Sequence, residues 1–135
     1  MQLVKDIGIV LLGLILGGTL NMLLVQTGMI VFPAPEGIDI STEAGLKLAM
    51  GKMSFEHFIF PFLAHALGTL FGAWFAIRFT KSKHISAAYS IGMLFLLGGI
   101  MMVFSVGGPT WFIILDLTIA YIPMAWLGYR LSASN

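Results

Sequence analysis

The strongest constraint on what this chain can fold into is a run of twenty residues without Lys, Arg, Asp or Glu, from Phe58 to Ile77 (FIFPFLAHALGTLFGAWFAI). At 1.5 Å per residue, a helix of that length reaches about 30 Å, the thickness of a bilayer's hydrocarbon core. Ala64, Gly68, Gly72 and Ala76 recur at every fourth position, so the helix presents a ridge of small side chains along which another helix can approach closely. His65 lies beside that ridge. An ionisable side chain inside an apolar span is by default a site hypothesis.

Three further segments share this apolar character, giving predicted spans at about 7–31, 55–78, 85–106 and 110–129. Only 10% of the 135 residues are charged, against roughly a quarter in a soluble domain, and 59% are hydrophobic. The prediction is an all-α, integral membrane four-helix bundle, a single transmembrane domain over residues 1–135. A net charge of +1 with no basic cluster gives no reason to expect a nucleic-acid partner. The absence of cysteine excludes disulfides, thiolate nucleophiles and iron–sulfur clusters. Lys5 precedes an apolar stretch, as in a secretory signal, but that stretch runs on from Ile7 to Phe32 and meets Pro33 and Pro35, so it reads as a retained helix.

In the first span, Gly13, Gly17 and Asn21 fall at four-residue spacing and form a second small-residue face. Gln26 lies about 140° around from Asn21 on a 3.6-residue helix. Residues 32–53 form a connector with Pro33 and Pro35 first and a short amphipathic helix, about 42–52, afterwards. Asp39, Ser41 or Thr42 is a candidate cap for it. Its apolar residues Leu46, Leu48, Ala49, Met50 and Met53 suit a helix resting on the membrane surface, with a cover over the bundle mouth as the alternative. Ser54 is expected to cap the second span, and Pro61, two turns in, to bend it near His57. The fourth span runs from Thr110 to about Tyr129 and carries Asp116 and Pro123.

Four spans put both termini and the 78–84 loop on one side, with Lys5, Arg78, Lys81, Lys83 and Arg130; the other side holds only Lys47 and Lys52. The positive-inside bias then predicts cytoplasmic termini and a multi-pass protein of the inner membrane. Glu36, Asp39, Glu43 and Glu56 gather on the opposite, outer side, where Glu56 and His57 flank the mouth. His65 lies roughly 10 Å and Asp116 roughly 9 Å in from the outer ends of their spans, and Asn21 and Gln26 fall in the same half of the bundle.

His65 and Asp116 are therefore the candidate ligand- or proton-binding pair, with Asn21 or Gln26 as further members of a cavity open to the acidic mouth. An aspartate at a helix centre costs roughly 2.5–3.5 kcal/mol to insert, which asks for a partner. The alternative is a plain hydrogen bond that locks two helices together. No catalytic residue, metal site or cofactor is expected. His57 and His65 lie about 12 Å apart along the axis, too far for one ion, and a two-histidine haem would need a second subunit.

The segments LAHALGTLFGAW (Leu63 to Trp74) and DLTIAYIPMAWLG (Asp116 to Gly128) resemble parts of small, uncharacterised bacterial four-helix membrane proteins. That resemblance implies an inner-membrane protein with four spans and carries over no site residues. Small multidrug transporters, the nearest four-span transport family, call for a glutamate in the first span, and none is present. The functional expectation is binding or transport of a small solute or proton at the polar site. The alternative is a structural or accessory subunit that docks a partner membrane protein, or a second copy, through the faces built on Gly13, Gly17, Ala64, Gly68, Gly72 and Ala76.

Overall fold

The computed structural model describes residues 1–134. The elements are α1 (Gln2–Val31), α2 (Glu43–Met50), α3 (Ile59–Phe79), α4 (Ile85–Ser105), α5 (Thr110–Ile119) and α6 (Ile122–Ala133), and a single 3-10 turn (Phe55–Phe58) leads into α3. No strand occurs among the described residues. Four helical stretches, 2–31, 55–79, 85–105 and 110–133, are long and apolar enough to cross a membrane. The amphipathic α2 lies between the first and second of them. The end holding residues 32–54 is called the connector end below, and the end holding the 80–84 loop the loop end.

α3 is the centre of the bundle, with α1, α4 and α6 packed around it. The approach of α1 depends on glycine facing glycine. A Cβ placed on Gly13 would lie 2.8 Å from the Gly72 carbonyl oxygen, and one on Gly72 would lie 2.8 Å from that of Gly13; Gly17 and Gly68 face each other in the same way. Ala64 and Ala76, on the same α3 ridge, are fully buried. These predicted packing residues are thus used within one chain. On another side of α3, Gly128 of α6 sits against the backbone of Leu70 and Trp74. Between them lies a core of small and branched residues, Ala73, Ala76, Ile77, Ala88, Ile91 and Ala125, all fully buried.

Polar contacts tie each end of the bundle. At the loop end, Asp6 of α1 accepts from the backbone N–H of Lys81 (3.3 Å). At the connector end, His57 Nδ1 accepts from the Ser54 N–H (3.2 Å), which leaves Nε2 to donate to the Pro33 carbonyl (3.0 Å). This contact pins the end of α1 to the start of α3. Within the connector, Thr42 caps α2 by accepting from the Gly45 N–H (3.0 Å). The Ser41 hydroxyl and amide together hold the Asp39 carboxyl below its ordinary range. That contribution to the turn is present above the usual carboxylate range and is lost as pH falls through the depressed value.

Near His57 and Pro61, where a bend is expected, the span changes from the 3-10 turn ending at Phe58 to α3 beginning at Ile59; Pro61 thus lies in the first turn of α3, where backbone N–H groups have no intrahelical acceptor. The fourth span is not continuous. It breaks at Ala120–Tyr121, where Tyr121 leaves helical geometry at φ −116° and ψ −80°, and α6 restarts with Pro123 in its first turn. Proline at 123 removes the N–H that would have bonded the Ile119 carbonyl and crowds that carbonyl.

The glycine interface generates a paired test. In detergent, Gly72→Ala is expected to lower unfolding stability by at least about 1–3 kcal/mol, since the new methyl meets backbone. Gly98→Ala, at a position with nothing within 4 Å, is expected to leave stability unchanged or slightly raised.

Candidate functional site

The break in the fourth span builds the site. In an unbroken helix, Asp116 and Tyr121, five residues apart, would point about 140° away from each other. With the chain unwound at Ala120–Tyr121, the Tyr121 hydroxyl turns back and donates to Asp116 Oδ2 (2.8 Å). From α3, His65 Nδ1 meets the other carboxylate oxygen, Oδ1, also at 2.8 Å. The His65 and Tyr121 rings stack with centroids 5.7 Å apart and planes 27° apart. Asp116 and Tyr121 are buried, at 4% and 1% exposure. The His65 side chain keeps 23% of its surface.

Neighbouring positions hold this triad in place. Gly99 of α4 lies directly against the Tyr121 ring; a Cβ there would stand 2.7 Å from the phenolic carbon. Ala66 and Ala120 pack with Tyr121 in a second buried cluster. Thr69 donates to the His65 backbone carbonyl (2.7 Å), one turn back along α3.

With Asp116 ionised, both carboxylate oxygens act as acceptors and Nδ1 of His65 carries the hydrogen. Nε2 is then the one polar atom of the ring with no protein partner among the described residues. It is a lone pair when the ring is neutral and a donor when the ring is charged.

The site borders a cavity of about 190 Å³. Its walls come from the connector-end halves of α1 and α4 and from α3 and α5, and its lining is apolar except at His57, His65 and Asp116. α1 and α4 approach each other at mid-helix, where Gly17 lies beside the Phe95 ring. Leu46, Met50 and Met53 of the connector close the cavity from above, and Ala49 of α2 is fully buried. The connector helix therefore borders the bundle mouth, the alternative raised for it. Glu36, Asp39, Glu43 and Glu56 are exposed and do not line the cavity, so its mouth is apolar and not acidic.

The other candidate residues fall elsewhere. Asn21 continues the glycine stripe of α1 and packs beside Gly68; its Oδ1 is buried without a partner among the described residues, and it does not reach the triad. Gln26 is exposed, on the far side of α1 from that stripe. His57 borders the cavity with both ring nitrogens engaged, while Glu56 accepts from the Ser54 hydroxyl (2.7 Å) and makes no hydrogen bond to His57. Tyr121 is the residue that the sequence reading missed. Its only signal was Pro123, whose effect on the turn before it decides where Tyr121 points. Among the described residues, no group of three or more metal-ligating side chains comes together.

No protein-family model matches this chain, and no curated protein or solved structure matches it either.

The Tyr121 contact is directly testable. Tyr121→Phe leaves a buried carboxylate oxygen without its donor and is expected to cost about 1–3 kcal/mol of unfolding stability in detergent. Tyr89→Phe, on an exposed ring, is expected to cost close to nothing.

Proposed function

We propose that this chain is a multi-pass protein of the bacterial inner membrane that binds a small molecule together with an exchangeable proton, His65 and Asp116 being the exchanging pair. The observation that carries the reading is the 2.8 Å contact of His65 with a buried carboxylate at the edge of a cavity. A lock between helices needs no cavity beside it and no exposed ring edge. Here the carboxylate is held by two donors, and the imidazole keeps an unpartnered nitrogen.

Binding is favoured over conduction through a single chain. The loop-end half of the bundle is filled by the alanine and isoleucine core, with those residues fully buried, so the cavity stops at the triad. Movement of a solute to the other side would require that half to open. The accessory-subunit alternative loses its proposed docking faces, since Gly13, Gly17, Gly68 and Gly72 are covered within the chain. The uneven Lys/Arg distribution supports cytoplasmic termini, which places the covered cavity toward the outer leaflet.

Orientation is checked by single cysteines, which the cysteine-free sequence makes unambiguous. Ser41→Cys is expected to react with a membrane-impermeant maleimide on intact spheroplasts, and Ser82→Cys only after lysis; the reverse pattern contradicts the assignment. For the proton role, imidazole nitrogen NMR in lipid nanodiscs reads which ring nitrogen is protonated. His65 is expected to keep Nδ1 protonated and to gain and lose the proton at Nε2 as pH is varied, and Asp116→Leu, which removes the acceptor, to abolish the Nδ1 preference while helical content is kept. A His65 ring that holds one protonation state wherever the fold survives contradicts proton exchange.

A further inference from the structure

We propose that the covered cavity binds an aromatic hydroxyl compound, a single lipophilic ring whose O–H donates to Nε2 of His65. The proposal rests on the reading above in one respect, that His65 offers Nε2 to a ligand.

Size sets the first limit. A dry apolar cavity of about 150 Å³ holds benzene, so the 190 Å³ here is room enough for one ring with small substituents. The lining sets the second. Met29, Met50, Met53 and Met102 contribute four thioethers, and sulfur packs favourably against aromatic ring edges. Phe32, Phe58 and Phe112 add aromatic faces for tilted or edge contacts, as they already make with one another and their neighbours. A saturated ring of the same size would gain neither kind of contact.

Polar chemistry sets the third limit. His57 has both nitrogens engaged, and both oxygens of Asp116 are occupied by His65 and Tyr121. His65 and Asp116 both border the cavity; Asp116 is 4% exposed and each of its oxygens already accepts one bond, whereas Nε2 of His65 has no protein partner among the described residues and is the acceptor we assign to the ligand. With Nδ1–H given to the carboxylate, the neutral ring presents a lone pair there, so the matching ligand group is a donor. A carboxylate would sit beside the Asp116 anion. A hydroxyl brings one donor, which the site can satisfy.

The test uses fluorine NMR on the purified full chain in detergent, with para-fluorophenol and its methyl analogue para-fluorotoluene as probes. The phenol is expected to bind about two- to tenfold more tightly than the toluene after correction for micelle partitioning, the ratio of one net hydrogen bond. His65→Phe is expected to erase that ratio, and Met50→Trp, which fills the cavity from its roof, to abolish binding of both. Competition by cyclohexanol is expected to be weaker than by phenol itself. Equal binding of the two fluorinated probes to the wild-type chain overturns the hydroxyl contact. Equal competition by cyclohexanol overturns the aromatic preference. Failure of every probe overturns the ligand assignment, whereas a His65 ring fixed in one protonation state while the phenol still binds overturns only proton exchange. These comparisons on the wild-type chain hold even if either variant fails to fold.

Discussion

One buried carboxylate fixes the relation of the bundle's parts. Asp116, on α5, receives one hydrogen bond from α3 and one from the residue that ends the break before α6. An aspartate so placed is unfavourable unless its charge is met, and the two donors that meet it come from segments far apart in the chain. The contact therefore selects how α3 is rotated and where the fourth span unwinds. Gly99 belongs to the same requirement, since only a residue without a side chain leaves room for the Tyr121 ring on α4.

The cavity follows from how side-chain size is distributed along the helices. Toward the loop end, α1 meets α3 through Gly13 and Gly17 against Gly72 and Gly68, and the space between helices is filled by alanine and isoleucine. Toward the connector end, Phe60 packs against Gly28 and large aromatic side chains crowd the entrance to α3. α1 and α4 stay apart there, and the connector, held by the His57 bond to Pro33, lies across the gap. Tight packing in one half and separation in the other give a pocket that ends at the triad.

Much of this was legible in the sequence. Four apolar runs, the small-residue ridge on α3 and the matching depths of His65 and Asp116 all follow from helical rise and period. Matching depth does not fix rotation, however, and so Asn21 and Gln26 were grouped with a pair they do not join. Asn21 faces Gly68 because the glycine stripe it extends is the α1–α3 interface, and Gln26 lies on the exposed side. Proline is visible at 61 and 123, but its type alone does not tell the two apart: at 61 α3 has only just begun, whereas at 123 the span breaks one turn before. The role of Tyr121 depends on a backbone departure of about two residues, which periodicity averages over.

The central claim is that His65 and Asp116 act as one coupled unit, and a double-mutant cycle in unfolding stability tests it most directly. His65→Phe and Asp116→Leu are made singly and together and measured in detergent. Each single change strands a partner inside the bundle, while the double change removes both polar groups and leaves Tyr121 with a hydroxyl to place elsewhere. The predicted result is a coupling energy well above the roughly 0.6 kcal/mol average of hydrogen bonds between membrane helices, with the double variant more stable than the two single losses would add up to. Strict additivity would contradict the account.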